Sequence, residues 1–354
     1  MGNELVVSGR AELLPPILSG GETSAVRKRV EQFFSSVADI FERWVTRRTS
    51  PHTQRAYRED VMSFVKFVDW EWPRDVELLL MVSIKDVQEF RDEMKGNGLA
   101  PKTVNRRIAS LSSFYKYLAG SAAELRLPIT VPNPAHAQFI ARESSDARHE
   151  TKAFSMTRAR QLMGLPHGES VIACRDRAIL KFYLYTGARL ATGCRLKVSD
   201  FHQDGDQATL RLHEKGDKRR TIGIHFAAAE AIHEYIQKAE LKSGPLFRPR
   251  KSSRKETLAE RAMNPVTMYL VIQQYLEHLP SAMKEEQLPD GTTRKVCLYT
   301  PHSIRATAAT ILLDAGVEIR KVQDLLGHRH ITTTQIYDKR RRTTAESASH
   351  DMPI

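Results

Sequence analysis

Pro301-His302-Ser303-Ile304-Arg305, then Leu325-Leu326-Gly327-His328, then Thr332-Thr333-Thr334-Gln335-Ile336-Tyr337, is the stretch on which the reading of this chain turns. Proline serves well in a helix's first turn, where the amide it lacks has no intrahelical partner. A helix is therefore expected to open at His302 and run towards Ala315, with Gly316 as its left-handed cap. A shorter helix from Arg320 is expected to end at Gly327. His302 and Arg305 stand three apart, on the same side of a helix start. His328 follows Gly327 in a tight turn, and Tyr337 comes after a threonine run suited to capping a short helix.

Upstream, the same half of the chain stays mostly helical. A helix is expected from Thr157 and a longer one from about Val171 to Tyr185, with others over 227–238 and 266–279. Thr186-Gly187-Ala188-Arg189 then places an arginine at a loop–helix junction, the glycine releasing the chain from helical geometry. Ala208 to Leu212, a turn at Gly216-Asp217 and Arg220 to Ile224 read as a small β-hairpin carrying Glu214-Lys215-Gly216-Asp217-Lys218-Arg219-Arg220. The polar run 277–296, with its Pro289-Asp290-Gly291 turn signal, reads as an exposed insertion.

The first third is a separate helical pattern, from about Val26 to Ala119. Ser50-Pro51 is a hydroxyl cap followed by a first-turn proline, with Tyr57, Val61, Phe64, Val65 and Val68 on one face behind it. Another helix is expected near Ser83, with Val87 and Phe90 inward. After Asn97-Gly98, Pro101 restarts the chain, and Val104, Ile108, Leu111, Tyr115 and Leu118 make an apolar stripe. Opposite lie Lys102, Asn105, Arg106, Ser110 and Ser113, a face suited to phosphate or major-groove contact, though a solvated helix face has a similar composition. Thr103 and Arg107 beside them, Thr53 and Arg55 on the helix that Ser50-Pro51 opens, and Lys218 and Arg219 in the hairpin complete the candidate DNA contacts. The expected organisation is a flexible lead-in over 1–34, a helical DNA-binding domain over 35–121, a Pro-rich linker over 122–152, a catalytic domain over 153–343 and a tail over 344–354.

Composition narrows the class. The 354 residues include 54 Lys and Arg against 42 Asp and Glu, a net charge of +12, which favours a polyanionic partner over none. No apolar run approaches the roughly 20 residues that span a bilayer, and the first residues lack the basic start and apolar stretch of a signal peptide. Cys174, Cys194 and Cys297 are scattered without CxxC spacing, which fits reduced thiols and a cytoplasmic location. His302, His328 and His330 lack metal-binding spacings and have cationic neighbours, so no metal or other cofactor is expected.

Taken singly, each histidine reads as a satisfied polar residue and the tyrosine as core. Together, two imidazoles, arginines and a phenol are the groups needed to hold a phosphodiester, move protons around it and attack it. Their order and spacing resemble the tyrosine site-specific recombinases, the family of phage integrases and Xer proteins. The resemblance runs from about Val37 to Tyr337. It rests on Ser50-Pro51-His52-Thr53, Tyr57, Asp60, Phe64 and Phe67 in the first unit. In the second it rests on Arg175-Asp176-Arg177-Ala178, Thr186-Gly187-Ala188-Arg189, Val198-Ser199-Asp200 and the 301–337 stretch.

The resemblance implies a mainly α, two-domain clamp: a SAM-like helical core-binding domain and a mostly helical, mixed α/β catalytic domain with a small β-hairpin sheet. It implies Tyr337 as nucleophile, Arg189 and Arg305 on the non-bridging oxygens, and Lys215, with Lys218 as the competing candidate, as acid for the leaving oxygen. His302 and His328 would serve proton transfer and hydrogen bonding to the phosphate. The implied activity cuts and rejoins strands through a 3′-phosphotyrosine and a Holliday junction, in integration, excision or resolution, without metal or ATP. Its partners would be double-stranded DNA sites, further copies of the chain in a tetramer on two sites, and accessory DNA-bending or directionality proteins. A type IB topoisomerase and a non-catalytic DNA-binding regulator are the alternatives. Two positions depart from the family pattern. Thr192 stands where an acidic residue usually lies, three after the first arginine, with Gly193 next to it at a helix cost of about 1 kcal/mol. Ala306 stands where a second histidine often follows Arg305.

Overall fold

The computed structural model describes residues 24–144, 151–205, 207–214, 218–252, 255–287 and 291–338. Lys215, the Gly216-Asp217 turn, Pro289-Asp290 and the tail beyond Asp338 therefore lie outside the described residues. The chain is mainly helical with small antiparallel sheets, and its internal contacts divide it into two units, 1–145 and 146–354.

The first unit is built from α1 (Ser24–Ser35), α2 (Val37–Thr46), α3 (Pro51–Phe67), α4 (Ile84–Gly96) and α5 (Pro101–Glu124). Pro51 and Pro101 occupy first-turn positions. Ser50 stands at the N-cap of α3, but its hydroxyl makes no capping bond, so the proline and not the serine starts that helix. The reciprocal cap is at α4, where the Ser83 hydroxyl accepts from the Asp86 N–H and the Asp86 carboxylate accepts from the Ser83 N–H.

The core of this unit joins Ile40, Phe41 and Trp44 of α2, Val61 and Phe64 of α3, Val87 and Phe90 of α4, and the α5 stripe from Val104 to Leu118. The expected lead-in over 1–34 is corrected at its end: α1 is helical and buries Val30 and Phe33 in this core. Each buried side chain of that size contributes roughly 1.5–3 kcal/mol, against a backbone ordering cost of roughly 1–2 kcal/mol per residue. The expected linker is corrected likewise. Ala122, Leu127, Ala135 and Ile140 are buried in the same core, and Glu143 is bonded through its backbone to Asn105. Residues 122–144 thus belong to the packed body of the first unit.

In the second unit, α6 (Met156–Gly164), α7 (Val171–Thr186) and α8 (Leu190–Arg195) precede a three-stranded antiparallel sheet. Its strands are β1 (Phe201–Asp204), β2 (Gln207–His213) and β3 (Arg219–Gly223), in the order β1-β2-β3. The expected hairpin is the β2–β3 pair, with Leu212 opposite Arg220 and His213 opposite Arg219. The chain continues through α9 (Phe226–Lys238), the β4 (Arg250–Ser252) and β5 (Lys255–Leu258) pair, and α10 (Pro265–Glu277). The insertion is not featureless: β6 (Met283–Gln287) pairs with β7 (Thr293–Cys297), with Glu286 opposite Arg294. Finally come α11 (Pro301–Asp314), α12 (Ile319–Leu326) and α13 (Ile331–Gln335).

Two caps in this unit aim the chain at the candidate site. Gly187 ends α7 with φ 57° and Gly327 ends α12 with φ 66°, the left-handed geometry that glycine adopts without penalty. Gly193, which costs α8 some helix propensity, has a packing reason. A Cβ there would lie 2.2 Å from the Tyr183 hydroxyl, which donates to the Leu190 carbonyl.

Candidate active site

Arg305 is the fixed point of the site. Three residues after His302 on α11, it turns into the protein, where its side chain is almost wholly buried. One guanidinium nitrogen donates to the Gly187 carbonyl at 2.5 Å and another to the Leu326 carbonyl at 2.8 Å. Those are the last carbonyls of α7 and α12, which lack intrahelical partners and carry partial negative charge. Burial first, and Arg189 second, lower its pKa to about 10, with Tyr337 and Glu214 acting the other way. The group remains a cation at neutral pH.

Arg189 occupies the N-cap of α8, half exposed, with Nη1 3.6 Å from Glu214 Oε1. His302 is exposed in the first turn of α11. The protein atoms around its ring, then Arg305 and Arg189, lower its pKa. His328, just past the α12 cap, is buried. Its pKa is lowered to about 4, chiefly by burial and then by Arg305, Arg189 and His302. Both imidazoles are therefore neutral near pH 7. His328 Nδ1 lies 2.9 Å from Thr334 Oγ1, which fixes the ring and leaves Nε2 for another partner.

Tyr337 follows α13 and is buried in one apolar cluster with Ala306, Ala309, Leu313, Val322 and Leu326. Its ring is nearly parallel to that of His328, at 15° and a centroid distance of 6.1 Å. The expected threonine cap of this helix is corrected: His330 holds the N-cap position, and Thr334 turns inward to His328.

Five of the six expected catalytic side chains, Arg189, His302, Arg305, His328 and Tyr337, thus gather at one place from segments that are far apart in sequence. Lys215 is outside the described residues, while Lys218 is exposed at the foot of β3 and Arg219 begins that strand. Two residues without an assigned role also enter. Glu214 is buried among the arginines, and Arg220 bridges Glu214 to the Asp324 and Leu325 carbonyls. Among the described residues no three His, Cys, Asp or Glu side chains assemble as a metal-ligand set.

In the first unit, Lys102 and Arg106 are exposed on α5, and Thr103 and Arg107 are partly covered. Arg106 is held by the buried Asp60 at 2.6 Å. Asn105 has both ends of its amide committed to the Glu143 backbone, a structural task that the sequence does not reveal. On α3, Thr53 is half-buried and Arg55 pairs with Glu59 at 2.6 Å.

Residues 154–343 match the phage integrase family, and residues 42–121 match the phage integrase N-terminal SAM-like domain. The chain belongs to the phage integrase family. This integrase-family chain is 30% identical over 294 residues to tyrosine recombinase XerD of Listeria innocua, covering 83% of the chain and 89% of the relative. It is 26% identical over 296 residues to tyrosine recombinase XerC of Anoxybacillus flavithermus, covering 83% and 88%. Its fold is similar to that of XerH site-specific recombinase bound to difH substrate, with a TM-score of 0.62 at 17% identity over 89% of this chain and 83% of that one. It is also similar to a lambda integrase tetramer bound to a Holliday junction, with a TM-score of 0.58 at 16% identity over 89% and 84%. Among the described residues no helix is long and apolar enough to cross a membrane.

Proposed function

We propose that this protein is a site-specific tyrosine recombinase in which Tyr337 is the nucleophile. The observation that carries the reading is the seating of the Tyr337 ring beside a neutral His328, next to two arginines whose charge acts on the same histidine. The phenol oxygen attacks phosphorus, the bond to the 5′-oxygen breaks, and the strand end is stored as a 3′-phosphotyrosine ester. His302, neutral at working pH, accepts the phenol proton, and a hairpin lysine, Lys215 or Lys218, protonates the departing 5′-oxygen. Arg189 and Arg305 hold the non-bridging oxygens, whose negative charge grows in the transition state, and His328 donates to one of them through Nε2–H. Reversal by a 5′-hydroxyl from a second duplex exchanges strands, so the ester conserves the bond energy without ATP.

On this reading four copies pair two duplex sites and pass through a Holliday junction. Lys102, Thr103, Arg106 and Arg107 of α5, Thr53 and Arg55 of α3, and Lys218 and Arg219 of the hairpin meet DNA. The excess of cations supports phosphate contact, whose affinity falls steeply with salt. Metal and ATP are not required, and accessory DNA-bending or directionality proteins join in some reactions.

The test is covalent trapping on nicked suicide duplexes drawn from DNA flanking the gene, with wild type against Tyr337→Phe. Wild type alone is expected to give an SDS-resistant adduct, while the variant binds within about twofold of it. An adduct of equal yield from Tyr337→Phe would remove the nucleophile assignment.

A further inference from the structure

Glu214 is a carboxylate buried among cations, with its side chain only 6% exposed. Its Oε1 lies 3.6 Å from Arg189 Nη1 and 3.2 Å from Arg220 Nη2. Three features keep it there. Its own N–H donates to the Lys218 carbonyl at 2.8 Å, closing the foot of the β2–β3 hairpin. Arg220, which pairs with Leu212 two residues before Glu214, also donates through Nη1 to the Asp324 carbonyl and through Nη2 to the Leu325 carbonyl, at 2.9 Å each. Residue 327 is glycine, and a Cβ there would stand 2.6 Å from Glu214 Oε2, so the cap of α12 leaves room for the carboxylate.

A buried carboxylate is costly unless it is paired, and two guanidiniums pair this one. The benefit is mutual. Arg189 hangs from a helix N-cap, half exposed, on a side chain with many rotamers, and among the described residues its ion pair is with Glu214. Arg189 and Arg220 both repel Arg305, and Glu214 opposes that repulsion. No carboxylate is available at Thr192, one turn further along α8. Glu214 also immediately precedes Lys215 in the sequence, one residue past the end of β2.

We propose that Glu214 is a positioning residue: it orients the guanidinium of Arg189 before DNA arrives and locks it to both the lysine-bearing hairpin and the α12 end that carries His328. The inference rests on the recombinase reading. Glu214 touches no reacting atom; it acts through Arg189, holding a phosphate-binding donor where the transition-state charge will develop.

The experiment is single-turnover cleavage of the suicide duplex by wild type, Glu214→Gln, Glu214→Asp, Arg189→Lys and the Glu214→Gln/Arg189→Lys double variant. Thermal melting and DNA affinity are followed alongside. Glu214→Gln keeps the shape and removes the charge; it is expected to slow cleavage about tenfold or more while affinity stays within about twofold. In the Arg189→Lys background the same change should cost less than about twofold, because the two residues act as one unit. Glu214→Asp, which restores the charge, should recover part of the rate. Equal slowing by Glu214→Gln in both backgrounds would overturn the proposal, since a general structural loss is additive. So would wild-type rates in Glu214→Gln on a duplex that wild type cleaves, which would sink this inference alone. Absence of any adduct from wild type would overturn the recombinase reading and this inference with it.

Discussion

His328 Nδ1 lies 2.9 Å from the hydroxyl of Thr334, and Thr334 is fully buried. A neutral imidazole has one donor and one acceptor nitrogen. If Nε2 is to donate to a phosphate oxygen, Nδ1 must accept, so the threonine hydroxyl is the donor in this pair. Thr334→Val keeps the shape and deletes that donor. It is expected to lower stability by about 1 kcal/mol and to slow cleavage about tenfold, with Thr334→Ser restoring most of the rate. Thermal melting and single-turnover cleavage check this; an unaltered cleavage rate in the valine variant would mean that packing alone orients the ring.

The same histidine sets a pH dependence. In the unfolded chain its imidazole takes up a proton near pH 6.5, whereas in the folded protein burial, Arg305, Arg189 and His302 lower its pKa to about 4. Between those values the unfolded state binds more protons than the folded one. The contribution to stability is therefore complete above about pH 6.5 and is lost as pH falls towards 4. His302 is shifted in the same direction and adds to the trend. Melting temperatures taken from about pH 7.5 down to about 5 should fall for wild type and fall less for His328→Gln. Parallel curves would assign the decline to other groups.

Gly316 and Gly327 separate two costs that glycine can hide. Both have positive φ, 80° and 66°. A Cβ at 316 meets nothing within 4 Å, while one at 327 would press on Glu214 Oε2 at 2.6 Å. Gly316→Ala should therefore lose only the left-handed penalty, roughly 1–2 kcal/mol, and cleave at the wild-type rate per folded molecule. Gly327→Ala should lose more stability and slow cleavage as well, because the carboxylate must move. Melting and cleavage of the two variants side by side provide the check, and equal behaviour would show that the space beside Glu214 is without consequence.

What could be read in the sequence was whatever local chemistry marks. Pro101 and Pro301 start helices, Gly187 and Gly327 end them, and the order of Arg189, His302, Arg305, His328 and Tyr337 pointed to one site before any packing was known. Hidden from it was whatever distant packing decides. Glu214 lies in a run of charges that reads as a solvated turn; the end of α12, more than 100 residues later, supplies the Arg220 contacts and the Gly327 space that bury it. Leu127, Ala135 and Ile140 show no helical or strand period, so their burial against α5 and its neighbours was invisible, and the segment read as a linker. For α1 the helical pattern from about Val26 was legible, but not its docking, because Val30 and Phe33 are buried only by the rest of the first unit's core. Gly193 read as a defect in a helix, and Tyr183, ten residues back, turns it into a fit.

The double anchoring of Arg305 has a further consequence, for the safety of the reaction. Its two carbonyl partners belong to Gly187 and Leu326, so the guanidinium is in place only when α7 and α12 have both docked on α11. A nascent or partly opened chain would leave that cation one acceptor short and free to swing. On the proposed role of Arg305, strand cutting is conditional on complete assembly of the domain, and a fragment that still held DNA by its surface charge would be unable to break it.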